Sequence, residues 1–137
     1  MAASTELSEQ DVLDAVETMV NAFGASDTEA YFDCFDESAT FIFYYEPQRL
    51  NSRKEYQTVW QSWLDQGITV TSCQSTNQRV QLAGTSALFL HDVETTVDED
   101  GTVETRWERE TITFARFDDG SVRAIHEHLS ARPERVE

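Results

Sequence analysis

The chain has 137 residues, enough for one domain that buries a core without metal or disulfide support. Its three Trp, four Tyr and eight Phe belong to a globular composition and exclude the disordered class. Twenty-six acidic against ten basic residues give a formal net charge of −16, which excludes a surface built to neutralise phosphates or anionic lipid.

No apolar run approaches the roughly 18 residues that span a bilayer. Met1 to Gln10 is polar and acidic, without the pattern of a leader. A cytoplasmic protein is expected, with neither nucleic acid nor membrane as partner. The acids are spread over Glu6–Glu17, Asp27–Glu37 and Asp92–Glu104, which suits solvated faces and loops rather than one tail. Cys34 and Cys73 have no metal-like spacing and are expected as free, partly buried thiols.

In chain order, Ser8 and Asp11 form a capping pair ahead of Val12, Ala15, Val16, Met19, Val20 and Phe23 at helical spacing, with Gly24 as the stop. Asp27 caps a short second helix carrying Ala30, Tyr31, Phe32 and Phe35. Ala39 to Tyr45, aromatic and β-branched, is a strand ended by Glu46-Pro47. Ser52-Arg53-Lys54-Glu55 opens a third helix with Tyr56, Val59, Trp60, Trp63 and Leu64, closed at Gly67. From Ile68 the period falls from about 3.6 to 2. Strands are expected over Ile68–Gln81, Ser86–Val97, Val103–Phe117 and Ser121–Ser130, with turns at Ala83-Gly84, Asp98–Gly101 and Asp118–Gly120. Helices first and strands later, without helices between them, indicate α+β with an antiparallel meander.

Two stretches carry a family resemblance. Asp27-Thr28-Glu29-Ala30-Tyr31-Phe32-Asp33-Cys34-Phe35-Asp36-Glu37-Ser38-Ala39-Thr40-Phe41 resembles the passage from a short acidic helix to the first strand of the nuclear transport factor 2-like superfamily. Asp119-Gly120-Ser121-Val122-Arg123-Ala124-Ile125-His126-Glu127-His128-Leu129-Ser130 is similar to the last strand of its SnoaL-like branch, with Val122 where a Trp is usual. It also resembles the end of the calcium/calmodulin-dependent kinase II association domain. The resemblance implies one SnoaL-like domain over residues 1–137. Its fold would be a cone-shaped, cystatin-like α+β roll, with three N-terminal helices packed in the concave face of a curved, mostly antiparallel sheet.

Ketosteroid isomerases, members of the same superfamily, use a carboxylate base and a Tyr–Asp oxyanion hole. Aligned without gaps, those positions fall on Phe43, Met19 and Ile112, all apolar here, so that chemistry is disfavoured. Strand alternation supplies the pocket wall instead. If the last turn spans four residues, Phe117 pairs with Val122. One face then carries Glu108, Glu110, Ile112 and Phe114 with Arg123, Ile125, Glu127 and Leu129. The other carries Trp107, Arg109, Thr111, Thr113 and Ala115 with Ala124, His126 and His128. The resemblance points the first face into the cone, and a single bulge would exchange the faces beyond it.

On this assignment a small apolar or aromatic metabolite would meet Phe41, Phe43, Tyr45, Tyr56, Trp60, Trp63, Ile112, Phe114, Ile125 and Leu129. Glu110 and Glu127 are candidate general acid–base groups, with salt bridges to Arg109, Arg123 or a partner subunit as the alternative. Tyr56, Trp60 and Trp63 at helical spacing read more readily as core. Trp107, Thr111, Thr113, His126 and His128 form a candidate homodimer interface. His126-x-His128 could share a metal, but no third ligand can be placed beside them, so neither metal nor cofactor is implied. The expected function is a small-molecule binding protein or small enzyme of unknown reaction. A homo-oligomeric assembly module or protein-binding adaptor is the alternative.

Overall fold

In the computed structural model, residues 6–133 are described. The remaining residues, 1–5 and 134–137, include both ends of the expected domain and half of the Met1-to-Gln10 stretch, and lie outside the described residues. The order is α1 (Glu9–Gly24), α2 (Thr28–Phe32), β1 (Phe35–Phe43), α3 (Arg53–Asp65), β2 (Ile68–Ala83), β3 (Ser86–Glu99), β4 (Thr102–Arg116) and β5 (Val122–Ala131). Among the described residues no helix is long and apolar enough to cross a membrane.

Local chemistry sets the helix boundaries. Ser8 Oγ accepts from the Asp11 amide while Asp11 accepts from the Ser8 amide, a reciprocal cap that satisfies two orphan donors of α1. Val12, Val16, Met19 and Ala22 then fall on one buried stripe. Asp27 caps α2, and Ser52 caps α3 through the Glu55 amide. The short second helix ends earlier than its apolar spacing suggests, and Phe35 opens β1 instead of closing α2. There it is fully buried with an edge-on contact to Tyr31.

The five strands form one curved sheet in the order β1-β5-β4-β3-β2, antiparallel except where β1 runs parallel to β5. The three helices pack on its inner face, α1 against β2, β3 and β5, and α3 against β1 and β2. This is the expected α+β roll. Between helices and sheet sits an aromatic core in which Tyr31, Phe32, Phe35, Phe41, Tyr56 and Trp60 touch ring to ring. Tyr31 and Tyr56 also join their hydroxyls at 2.9 Å inside it, so neither phenol is buried without a partner.

Register decides what faces inward. Asp100 and Gly101 both have positive φ and form a two-residue turn, which sets His91 opposite Glu110 and Val93 opposite Glu108. The last turn is one residue shorter than expected. Phe117 closes on Ser121 around Asp118-Asp119-Gly120, with Gly120 at φ +85, so Arg116 rather than Phe117 faces Val122. A bulge at Ile125 takes up the difference: Phe114 faces Ala124, whereas Thr113 faces His126 and Ile112 faces Glu127. Beyond the bulge the expected register holds. Before it the faces exchange, so Ala124 is buried inward, while Ile125 is only half-buried and Arg123 turns outward to Asp36 and Asp119.

Candidate active site

The inner face and the helices leave a cavity of about 220 Å³. Helix α1 contributes Met19, Val20 and Phe23, and α3 contributes Tyr56, Trp60 and Trp63. Phe43 and Tyr45 stand at the end of β1, stacked at 5.5 Å, with Trp63 5.7 Å from Tyr45. Ile112, Glu110, Glu108, Glu127 and Leu129 come from β4 and β5, and His91, Val93, Thr95 and Val97 from β3. At the rim the Arg106 guanidinium lies 5.9 Å from the centre of the Tyr45 ring.

Of the residues expected to meet a ligand, Phe43, Tyr45, Tyr56, Trp60, Trp63, Ile112 and Leu129 line this cavity, as do both candidate acids. Phe41 and Phe114 do not. They are wholly buried in the packed core, because the rings of Phe35 and Tyr56 already cover Phe41 and the inward row at Phe114 closes on Ala124. Ile125 is off the cavity because it is the bulged residue.

The polar groups converge on one wall. Glu110 and Glu127 sit diagonally across β4 and β5 and are hydrogen-bonded to each other, which requires one of them to keep a proton. Burial pushes the Glu110 carboxyl up to about 7, the nearby Glu108 adding to the rise. Burial, reinforced by the Glu110 charge, pushes Glu127 well above the usual carboxylate range. Oε2 of Glu127 is buried and receives no hydrogen bond from an N–H or hydroxyl donor. Glu108, also raised by burial, is steadied by the Tyr44 hydroxyl donating to Oε2 at 2.9 Å.

His91 completes the group. It is buried and pushed down to about 4 by that burial, so the ring is neutral at neutral pH. Gln78 Nε2 donates to Ser75 Oγ at 2.9 Å, leaving the serine proton for His91 Nδ1 at 2.5 Å. With the serine proton directed at Nδ1, the ring proton stands on Nε2, 2.7 Å from Glu110 Oε1, and is given to that carboxyl. A hydrogen-bonded chain thus runs from exposed Gln78 on β2 through Ser75 and His91 to the paired carboxyls. No arginine pairs with Glu110 or Glu127 among the described residues; Arg123, one expected partner, is held by Asp36 at 2.9 Å and Asp119 at 2.7 Å. Alternation along β4 and β5 was enough to find the two acids. His91 was missed although its signal was present: counting outward from Asp100-Gly101 sets it across from Glu110.

The candidate interface residues lie on the opposite side of the sheet. Trp107 is 53% exposed, Thr111, Thr113 and His126 are half-buried, and His128 is exposed. The His126 and His128 rings are 6.3 Å apart, and His126 Nδ1 shares a 2.7 Å hydrogen bond with Thr40 Oγ1. Among the described residues no group of three or more His, Cys, Asp or Glu side chains is placed to hold a metal ion. Cys34 and Cys73 are free thiols, pushed up to about 11 and about 12 by burial.

The sequence matches no curated protein. Solved structures with the same architecture are numerous. A nuclear transport factor 2-like superfamily protein from Salmonella enterica superposes with a TM-score of 0.79 at 13% identity, covering 91% of each chain. A Xanthomonas campestris protein named after the calcium/calmodulin-dependent protein kinase II association domain gives 0.77 at 18% identity, over 98% of this chain and 95% of that one. A ketosteroid isomerase-like protein from Erwinia carotovora gives 0.76 at 16% identity, over 93% and 100%. At such identities these likenesses speak for the fold alone. The family model described as a SnoaL-like domain matches residues 12–133, nearly the whole of what the structure describes, and the chain therefore belongs to the SnoaL-like family.

Proposed function

We propose that the chain binds a small, largely apolar molecule in the cavity and exchanges a proton with it through the Glu110–Glu127 pair. One observation carries this reading: two mutually hydrogen-bonded, buried carboxyls with raised proton affinity stand at the wall of a largely apolar cavity. A carboxyl that still holds its proton near neutral pH serves as acid or base at working pH. The neutral His91 fixes Glu110 by its Nε2–H and acts as a positioning residue.

Native mass spectrometry of the purified protein tests the binding half. Retention of a small apolar or aromatic compound supports the reading. An empty cavity, together with unchanged Trp60 and Trp63 fluorescence across a panel of aromatic compounds, ends it.

A second reading, homo-oligomeric assembly, is favoured by the outer face. There the cross-strand row Gln81–Leu88–Thr113–His126–Thr40 carries no Asp, Glu, Lys or Arg, and the row Leu90–Thr111–His128–Ile42 carries none until Arg79 on β2, in a chain of net charge −16. Two copies so charged repel unless they meet over an uncharged surface, and this is such a surface. The occupant is a second copy of the chain, and salt strengthens the pairing by screening the net repulsion. Sedimentation that finds only monomer at both low and high salt rejects it. A ring of many subunits would favour assembly as the main role over ligand chemistry.

A further inference from the structure

Resting on the pocket reading above, we infer that the cavity is built for an organic cation, a compact amine carrying an aromatic or alkyl body, seated with its nitrogen against Glu127.

The cavity has two unlike ends. One is a box of ring faces and edges: Phe43, Tyr45, Tyr56, Trp60 and Trp63, with neighbouring centroids 5.0 to 6.3 Å apart. These rings touch one another and offer faces and edges to the aromatic or alkyl body of a ligand, leaving its nitrogen for the other end. The protein itself puts a cation on this box, the Arg106 guanidinium over Tyr45. The other end holds three carboxyls from two adjacent strands, and Glu127, which lines the cavity and is only 5% exposed, meets other carboxyls but no N–H or hydroxyl donor among the described residues. Glu127 is thus paired only with another acid, and a ligand N–H would supply the donor that the protein does not. An ammonium supplies up to three such donors; an alcohol supplies one and a carboxylate none.

The groups that face Glu127 do not supply the missing positive charge. From β4 come Glu110 and Glu108, from β3 the neutral His91, and from β2 the protonated thiol of Cys73. From the helices come the phenols of Tyr31 and Tyr56, joined to each other. Arg106, the lining cation, is spent on the rim near Glu104, 3.8 Å away, and Tyr45. A cation arriving beside the pair therefore takes the place of the shared proton, which leaves to solvent. A cavity of about 220 Å³ also fits the size. A void of about 150 Å³ already accepts a benzene ring, so a ring with a short amine arm is accommodated. The surrounding charge of −16 draws cations toward it.

Isothermal titration of the whole protein at pH 7 with 2-phenylethylamine, 2-phenylethanol and 3-phenylpropionate tests this. Each is run in two buffers of different ionisation enthalpy. The expected result is an order-of-magnitude preference for the amine over the alcohol, no measurable binding of the carboxylate, and proton release with the amine alone. Glu127→Gln should reduce amine affinity at least tenfold and alcohol affinity by far less, so that the preference for the amine collapses. Should that variant fold poorly, Glu108→Gln at the rim should lower the amine preference in the same direction. An alcohol or carboxylate that binds as tightly as the amine, or amine binding without proton release, overturns the cation inference and leaves the pocket reading standing. If none of the three binds but a neutral compound co-purifies, the cation inference alone falls. If nothing binds or co-purifies, both fall.

Discussion

The two faces of the sheet are made from the same strands and treat a carboxylate in opposite ways. On the inner face Glu108, Glu110 and Glu127 lose water, no arginine bonds to any of them although Arg106 lies near Glu108, and burial holds their protons more tightly. On the outer face and its margins, Asp36 and Asp119 accept from serine hydroxyls and amides and from Arg123, and their protons are released more easily. Residue class does not set the sign of the shift. The neighbours do, and burial decides which neighbours are available. Glu110, at about 7, therefore stands within reach of proton exchange at neutral pH, while the outer acids pin a turn and a strand.

Four changes would break or sharpen this contrast. The largest effect is expected at the aromatic side of the cavity. Trp60 touches Phe23, Tyr31, Phe32 and Tyr56, and its Nε1–H is given to Thr28 Oγ1 at 2.9 Å. Trp60→Ala should cost about 3–5 kcal/mol in urea unfolding, and a loss below about 1 kcal/mol would show that this wall is not a packed support.

Next comes pH. A folded-state pKa raised above the unfolded value favours the fold while the group is protonated. The Glu110 contribution is therefore complete below the unfolded carboxylate range and is lost as pH climbs through about 7, and that of Glu127 is lost in the same direction as its carboxyl ionises. For Glu110 alone the decline is on the order of 3 kcal/mol. Asp36 has the reverse sign: its contribution is present above the unfolded range near 4 and lost on acidification. Stability should thus peak in mildly acidic solution. Glu127→Gln should flatten the alkaline side only. Thermal melts from pH 3 to 8 that show equal slopes for both proteins would contradict this account of the pair.

Smaller again is Tyr56→Phe, which removes one of two joined phenols and strands the buried Tyr31 hydroxyl. A loss of about 1–3 kcal/mol in chemical denaturation is expected, and a neutral result would mean water replaces the missing partner. Smallest is Arg123→Ala on the outer side. Its ion pairs are partly exposed, so less than about 1 kcal/mol should be lost. A loss as large as that of Trp60→Ala would erase the distinction between the two faces.

Much of the candidate site could be read along the strands, since alternation put Glu110, Ile112, Glu127 and Leu129 on one face. Two residues show where that reading runs out. Ile125 was expected inward because the turn before it was counted as four residues; a three-residue turn and one bulge move Ala124 inward instead. His91 forms no pattern within its own strand, and its place across from Glu110 emerges only by counting outward from the Asp100-Gly101 turn. Its role exists only through Glu110 on the neighbouring strand and Ser75 on the other side.

By itself the sequence determined the caps at Ser8, Asp27 and Ser52, the change of period at Ile68, the α+β order and the family. These depend on residues within a few positions of one another, where side chain and backbone meet whatever the rest of the chain does. Only the tertiary structure decided which phenyl rings are core and which line the cavity, and that the two glutamates meet each other rather than an arginine. Those outcomes depend on register summed over turns and bulges, where one residue more or less reverses a face, and on burial, which no local pattern encodes.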